Sequence, residues 1–449
     1  MSIRRSTTLA TIAAGAAVLV ALSGCSASGS AAPDGSTGPA TVQFWHAMSG
    51  PAATELDQLV ARFNSTNTDD ITVKASFQGT YADVQTKYTA AVQSSTTPDL
   101  LMMNDTSTGF MVDSGQIAPA ADFTEKDSSS DAGDIAAAAK QYYSGTGGLE
   151  AMPFSVSTPV LYLNKAIIRK AGLDVTKPPK TLADVARWAE QIHAKTGLYG
   201  MSMNMSDSWM LEELSAAGGE DFCTPDNGRG SGKVTGVSLT SDTQVQFMTR
   251  LQKLYQDGSA LNPGTDPTVQ NSAFTSDRVG MVMTSSGAYT TLDPDGTKSV
   301  VSTFPTTSDS KDAGPVIGGN ALWISGKGHS AAQQQASYTF AKWLQSPEVQ
   351  AEWSKATGYL AMNTRAARTT VGKESLADPN IRAMYAQLAA DPSSTASAGC
   401  VTGAMPTVRA TVIGAFNKVV EGSDVASTMA DAEQQATSQI ASYNQAAGK

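Results

Sequence analysis

Residues 41–46, TVQFWH, and residues 71–77, ITVKASF, alternate apolar and polar side chains. This period of two is the pattern of a β-strand with one buried face. In the second stretch it predicts that Ile71, Val73, Ala75 and Phe77 lie on one side of the strand. Each stretch is therefore expected to be a strand at the beginning of the fold.

The segment between these two strands has the period of an α-helix. Its apolar residues recur at helical spacing and define one face, formed by Leu56, Leu59, Val60 and Phe63. A helix between two strands predicts a parallel pair with the helix packed across it.

The same alternation continues along the chain. Residues 99–104, DLLMMN, form a short apolar run typical of a strand that is buried on both faces. Thr181 is placed to cap a helix over TLADVARWAEQI, and further strands are predicted in residues 278–287, RVGMVMTSSG, and residues 315–328, PVIGGNALWISGKG, the last interrupted by glycines. The predicted fold class is α/β, with mostly parallel sheets flanked by helices.

Small hydroxyl and glycine residues recur where the predicted strands end. Residues 153–165, PFSVSTPVLYLNK, place Ser155, Ser157 and Thr158 directly before an apolar run, and TSSG and IGGN are similar ends. Such hydroxyls either satisfy the backbone at a bend or face a ligand. Because ligands of open parallel sheets bind beyond the carboxyl ends of the strands, three such ends favour a ligand cleft.

Residues 1–24 have the features of a secretory leader. Arg4 and Arg5 precede an uncharged apolar run that is too short for a typical membrane-spanning helix. The following LSGC resembles the lipobox of bacterial lipoproteins, which implies that Cys25 carries a lipid. Residues 25–40 are rich in Ser, Ala, Gly and Pro and predict a flexible tether. The protein is therefore expected outside the cytoplasm, anchored to the outer face of the cell membrane through Cys25.

Composition limits the partners and the number of domains. The chain has 449 residues and a formal net charge of −10, which argues against nucleic acid as a partner. This length exceeds what one core usually serves, so two domains are expected. Cys223 and Cys400 remain besides Cys25, and they form either one disulfide or two free buried thiols.

Common catalytic motifs are missing from the sequence. It contains no H-E-x-x-H, G-x-S-x-G or P-loop motif, and its three histidines have no acidic partner at motif spacing. LDPDG at residues 292–296 lacks the remaining ligands of a calcium loop. The sequence thus predicts a protein that is not an enzyme and that uses neither a metal nor a cofactor.

Several segments, taken in order, carry a family likeness. They are FWHAMSG (44–50), FQGTYADVQTKY (77–88), STPVLYLNKAIIRKAGL (157–173), TSSG (284–287), VIGGNALWI (316–324), WSKATGYL (353–360) and GAMPTVRATV (403–412). They resemble the sugar-type extracellular solute-binding family of bacterial ABC importers, and within it the branch that binds glycerol-3-phosphate and glycerophosphodiesters. The resemblance covers nearly all of the chain after the tether.

The resemblance implies a two-lobe, periplasmic-binding-protein-like fold. Lobe I would comprise residues 41–153 and 314–360, and lobe II residues 154–313 and 361–449, joined by a hinge that closes on the ligand. A monomer would then deliver a small glycerophosphate ligand to the ABC permease subunits in the membrane.

The resemblance also implies a set of ligand contacts in the cleft. These are Tyr81, Asp105, Ser157, Trp209, Ser285, Gly319, Tyr359 and Arg409. Arg409 would supply a guanidinium fork for a phosphate and the hydroxyl and backbone N–H groups would be uncharged donors. Asp105 stands where the family has a glutamate, so its side chain reaches less far.

Ligand identity remains open between related compounds. The branch has two tryptophans three residues apart, whereas this chain keeps Trp209 and has Ser206 at the other position. The smaller residue opens the pocket, which makes glycerophosphocholine a competitor to sn-glycerol-3-phosphate. The alternatives are a neutral sugar or oligosaccharide, which requires Arg409 to be structural, and a secreted phosphodiesterase, which the missing metal cluster and catalytic base oppose.

Overall fold

The structure is a computed structural model that describes most of the chain. It describes residues 40–203, 205, 209–230, 232–264, 266–307 and 310–448. The leader at residues 1–24, the tether up to residue 39, Cys25 and Ser206 lie outside the described residues.

The strands alternate with helices along the chain. The strands are β1 (Ala40–His46), β2 (Ile71–Phe77), β3 (Leu100–Asn104), β4 (Ile117–Ala118), β5 (Ser144–Gly145), β6 (Gly148–Leu149), β7 (Met152–Ser157), β8 (Pro159–Asn164), β9 (Tyr199–Met203), β10 (Cys223–Thr224), β11 (Gly236–Val237), β12 (Ala260–Leu261), β13 (Val279–Ser285), β14 (Ser299–Thr303) and β15 (Gly318–Ser325). The helices are α1 (Gly50–Thr66), α2 (Tyr81–Ser94), α3 (Thr108–Asp113), α4 (Ala121–Thr124), α5 (Ala137–Tyr142), α6 (Lys165–Lys170), α7 (Leu182–Thr196), α8 (Trp209–Gly218), α9 (Asp242–Gln256), α10 (Pro267–Thr275), α11 (Tyr289–Leu292), α12 (Ala331–Leu344), α13 (Pro347–Thr357), α14 (Thr370–Ser375), α15 (Pro379–Ala389), α16 (Thr395–Ala398), α17 (Met405–Val420) and α18 (Val425–Ala446).

The first sheet has the order β2-β1-β3-β15-β4, and β7 also pairs with β15. Strands β2, β1 and β3 are parallel, whereas β15 runs antiparallel to β3, β4 and β7. The strand, helix and strand predicted at the start of the chain are confirmed as β1, α1 and β2. Leu56, Leu59, Val60 and Phe63 are the buried face of α1, and burial of each such side chain stabilises the fold by about 1.5–3 kcal/mol.

The second sheet has the order β12-β9-β13-β8-β14. Strands β12, β9 and β13 are parallel, and β8 is antiparallel to both of its neighbours. Thr181 caps α7 as predicted, because its side chain accepts a hydrogen bond from the Asp184 N–H. Two mostly parallel sheets with flanking helices confirm the α/β prediction.

The chain passes from the first sheet to the second at a single residue. Strand β7 ends at Ser157 and β8 begins at Pro159, so Thr158 alone joins them. The Gln387 amide Nε2 donates to Thr158 Oγ1 at 2.6 Å and to the Pro159 carbonyl at 2.6 Å. Helix α15, which carries Gln387, therefore braces this crossing.

Two details of the predicted strands are wrong. Phe77 is 56 % exposed, because the inward alternation of β2 stops after Val73 and the strand ends beyond the sheet's covered face. The Gly318–Gly319 pair does not interrupt a strand, since β15 begins at Gly318. Because β15 is antiparallel to β3, this amino end nevertheless lies at the same edge as the carboxyl end of β3.

Apolar side chains form two large clusters, and the second sheet contributes to both, with Val160 and Val279 in the first and Leu161 and Met281 in the second. The first contains the aromatic residues Phe44, Phe63, Trp323 and Phe340. The second joins the second sheet to α7, α9, α17 and α18. Within the described ranges, no helix combines the length and apolar character that crossing a membrane requires.

Cys223 and Cys400 are joined by a disulfide, so the alternative of two free thiols is wrong. The bond links residues 177 positions apart. Such a long loop restricts the unfolded chain, and replacing both cysteines by serine is expected to lower the free energy of unfolding by about 2–5 kcal/mol. Urea denaturation measures this loss. A reductant should destabilise the wild-type protein and leave the double-serine variant unchanged; equal stability of the variant and the oxidised wild type would contradict the prediction.

Candidate functional site

The polar strand ends of the first sheet lie along one edge. Asp105 follows the carboxyl end of β3, and Ser157 ends β7 opposite Gly318 at the start of β15. In the second sheet Ser285 ends β13 opposite Pro159, the first residue of β8. Since Thr158 alone separates Ser157 from Pro159, the polar edges of the two sheets meet at this crossing.

The three hydroxyls before β8 have different roles. Ser155 Oγ accepts a hydrogen bond from the Trp353 Nε1–H at 3.0 Å, and Thr158 is held by Gln387, so these two serve the local structure. Ser157 Oγ instead lies beside Gly318, where an added methyl group would be 3.2 Å from it. The same methyl group would be 3.2 Å from Trp209 Cζ2, so Ser157 and Trp209 flank the start of β15.

The backbone conformation and close surroundings of Gly319 leave no room for a side chain. Its φ is +131°, and a Cβ would lie 1.9 Å from the Ser155 carbonyl oxygen. The absence of a side chain lets β15 approach β7 closely at the polar edge, next to Trp209 and Ser157.

Two partly buried tyrosines lie near Asp105. Tyr81 begins α2 after the capping residue Thr80, and its hydroxyl accepts a hydrogen bond from Asn320 Nδ2 at 3.0 Å. Burial, together with Tyr359 and Asp105 nearby, raises the pKa of Tyr81 well above its usual value. Burial and Asp105 also raise the pKa of Tyr359. Both phenols therefore remain neutral hydrogen-bonding groups beside the carboxylate.

Ser285 and Tyr359 lie on either side of Gly287. The Gly287 N–H donates to Ser285 Oγ at 3.1 Å. A methyl group added to Gly287 would be 3.4 Å from Ser285 Oγ and 3.8 Å from Tyr359 Cε1. Ser285, at the end of a strand of the second sheet, therefore lies near Tyr359.

Arg409 lies on α17 and is only 6 % exposed. Its Nη2 donates to Glu212 Oε2 at 2.7 Å and is 3.5 Å from Asp105 Oδ2. Glu212, on α8, is 2 % exposed, and its Oε1 accepts a hydrogen bond from the Cys400 N–H at 2.7 Å. The guanidinium is therefore held between a fixed carboxylate on one side and Asp105 on the other.

Arg229 is a second, partly buried arginine close to this group. Its Nε donates to the Gly399 carbonyl at 2.9 Å and its Nη1 to the Tyr142 carbonyl at 2.7 Å, and its centre lies 4.7 Å from the Tyr142 ring centroid. Tyr142 in turn donates its hydroxyl hydrogen to the Asp105 carbonyl at 3.2 Å. Arg229 thus connects the segment that carries Asp105 to the segment that carries Cys400.

The structure places the eight predicted site residues in three sets of neighbours. Trp209, Ser157 and Gly319 meet at the start of β15, Tyr81 and Arg409 adjoin Asp105, and Ser285 adjoins Tyr359. Ligand contact by these residues stays a prediction. Ser206, the residue expected to enlarge the pocket, lies outside the described residues.

Sequence reasoning missed Glu212, Glu213, Arg229 and Tyr143. The Tyr143 hydroxyl is buried without a hydrogen-bond partner among the described residues, and burial and Asp105 raise its pKa. Two adjacent acids inside the apolar run WMLEEL were the available signal for Glu212, because buried carboxylates usually have a dedicated partner. No local pattern marks Arg229 or Tyr143.

Comparison with known proteins identifies a matching protein family. The family described as "Bacterial extracellular solute-binding protein" matches residues 58–383. The sn-glycerol-3-phosphate-binding periplasmic protein UgpB of Escherichia coli (strain K12) is 30% identical over 388 residues, covering 83% of this chain and 86% of that protein. The corresponding protein of Shigella dysenteriae gives the same values.

Solved structures show the same fold. UgpB from Mycobacterium tuberculosis, in complex with glycerophosphocholine, is 20% identical with a TM-score of 0.74, covering 90% of this chain and 98% of that chain. The cyclic alpha-maltosyl-1,6-maltose binding protein from Arthrobacter globiformis is 21% identical with a TM-score of 0.71, covering 90% of this chain and 99% of that chain. These matches confirm the predicted two-lobe fold.

Proposed function

Because the chain belongs to the bacterial extracellular solute-binding protein family, we propose that it is the substrate-binding lipoprotein of an ABC importer. It captures a glycerophosphate-type ligand, sn-glycerol-3-phosphate or glycerophosphocholine, and delivers it to the permease subunits as a monomer. Its role is binding and delivery rather than catalysis. The 30% identical relatives named for binding sn-glycerol-3-phosphate support this ligand class.

The observation that carries the proposal is the buried guanidinium of Arg409 where the two sheets meet. Removing a charge from water costs several kcal/mol unless it is compensated. A neutral sugar gives no reason to keep such a charge beside Asp105, 3.5 Å away. A phosphate would make short charge-assisted hydrogen bonds to the guanidinium, with Ser157, Ser285 and Tyr359 as uncharged partners.

The two sheets are the cores of the two proposed lobes. Lobe I comprises residues 41–153 and 314–360, and lobe II residues 154–313 and 361–449. The pairing of β7 with β15 favours placing the first crossing at Thr158, four residues after the boundary at 154. Closure about this crossing would bring Arg409, on α17, against Asp105, which follows β3.

Anchoring is proposed through a lipid on Cys25, with residues 25–40 as the tether. This arrangement would keep the protein on the outer face of the cell membrane, within reach of the permease. The lipobox-like LSGC supports it. A Cys25→Ala variant is expected in the culture medium rather than in the membrane fraction; retention of the variant in the membrane fraction would contradict the anchor.

Thermal unfolding with added ligands tests the function. Glycerophosphocholine or sn-glycerol-3-phosphate is expected to raise the melting temperature, since a ligand at about 100 times its Kd adds about 2.7 kcal/mol to the stability of the folded state. Maltose is the control and should cause no shift. A shift with maltose alone would replace this proposal with the neutral-sugar alternative.

A further inference from the structure

We propose that Glu212 is a positioning residue for Arg409 that also makes the site select ligands carrying a single negative charge. The inference rests on the proposed function, because it concerns which phosphate compounds the cleft accepts. It assigns a specificity role to a residue that does not itself contact the ligand.

Glu212 is held in place by two short hydrogen bonds. Both of its oxygens are engaged at 2.7 Å, one by Arg409 Nη2 and one by the Cys400 N–H. The disulfide to Cys223 holds Cys400 in place. Asp105, in contrast, is 3.5 Å from the same Nη2. We expect an entering phosphate to approach Arg409 on its Asp105 side and to leave the shorter bond to Glu212 intact.

The buried charges near Glu212 are balanced without a ligand. Among the described residues, the cations beside it are Arg409 and Arg229, and the carboxylates are Glu212 itself and Asp105. Burial and the neighbouring Glu212 raise the pKa of Glu213, the next residue on α8, well above its usual value, which favours its neutral form. The nearby phenol of Tyr142 is neutral as well, since burial, Asp105 and Glu212 raise its pKa.

Each negative charge of the ligand must then enter a site to which the described residues supply no surplus cation. Charge repulsion grows in a buried environment of low polarity. A phosphodiester brings one negative charge, whereas a phosphate monoester, with a second pKa near 6, brings nearly two at about pH 8. The site should thus bind the diester more tightly than the monoester, and Glu212 is the fixed source of this preference.

The test compares two ligands that differ by one charge and one methyl group. Calorimetry measures the affinities of sn-glycerol-3-phosphate and of its methyl phosphodiester at about pH 8. The wild-type protein is expected to prefer the diester. Glu212→Gln keeps the shape and removes the charge, and it should shift the affinity ratio towards the monoester by roughly tenfold or more.

The matched control is Glu213→Gln, one residue along the same helix. Glu213 is equally buried, its raised pKa favours the neutral form, and its Oε2 accepts a hydrogen bond from the Val316 N–H at 2.9 Å and not from Arg409, so the ratio should stay at the wild-type value. An unchanged ratio in Glu212→Gln, or the same shift in Glu213→Gln, overturns the inference while leaving the proposed function intact. Absence of binding of both compounds to the wild type overturns the proposed function and this inference with it.

A second measurement does not depend on the folding of a variant. In the wild-type protein, lowering the pH from about 8 to about 5 converts the monoester into a monoanion. Its affinity should rise over this range, while that of the methyl phosphodiester should not. A monoester that binds more tightly at the higher pH overturns the inference.

Discussion

An Arg409→Ala variant is expected to lose binding of glycerophosphate ligands by about 2–5 kcal/mol, which corresponds to roughly 30-fold to several thousand-fold in Kd. The guanidinium is buried and is the charged partner for the phosphate. Its removal also leaves Glu212 and Asp105, which are 2 % and 7 % exposed, without their cation. Calorimetric titration measures the affinity, and circular dichroism shows that the variant is folded.

Two further variants make this test specific. Arg409→Lys keeps the charge but not the planar fork, and it should retain part of the affinity. Arg62→Ala removes an arginine whose partner Glu352 is 2.7 Å away on the surface, with both side chains more than a third exposed. Surface pairs contribute about 0–1 kcal/mol, so ligand binding should not change. A folded Arg409→Ala protein with wild-type affinity would remove Arg409 from the site.

Gly319→Ala is expected to have the largest effect of a single methyl group on stability. The new Cβ would lie 1.9 Å from the Ser155 carbonyl oxygen, and alanine rarely adopts a φ of +131°. Strained backbone and overpacking each cost about 1–3 kcal/mol, so we expect a loss of about 2–6 kcal/mol in the free energy of unfolding. Because β15 can yield only by separating from β7, the affinity for ligand should fall as well.

Urea denaturation measures the stability of this variant. The matched control is Gly133→Ala, since a Cβ at Gly133 meets no atom within 4 Å and its φ is not in the left-handed region. The control should unfold at the wild-type urea concentration. A Gly319→Ala protein as stable as the control would show that β15 and β7 do not need their close approach.

Features set by neighbouring residues were predicted from the sequence. The face of α1 formed by Leu56 and Phe63 follows from helical spacing, and the cap of α7 at Thr181 follows from a hydroxyl three residues before Asp184. The strand ends at Ser157 and Ser285 follow from turn-forming residues after apolar runs. Each of these depends on contacts within a few positions of the chain.

Features set by distant residues were not predicted from the sequence. The direction of β15 depends on its pairing with β3, more than 200 residues earlier in the chain, so the position of Gly318 at the start of the strand was missed. Phe77 continues a regular alternation, and only the extent of the sheet and its covering helices leaves it exposed. The resemblance placed Arg409 at the site, but nothing near it in sequence pointed to Glu212, which is 197 positions away.

By itself, the sequence determined the α/β class, the family and the residue types available for an anionic ligand. These follow from local periodicity, composition and short motifs, which do not depend on how the chain is folded back on itself. Tertiary structure alone decided that Cys223 pairs with Cys400 and that Arg409 is bound by Glu212. It also decided that Arg229 donates to the carbonyl of Tyr142, whose hydroxyl donates to the Asp105 carbonyl. The reason is physical: a buried charge needs a partner of opposite sign within hydrogen-bonding distance, and packing brings that partner from any point of the chain.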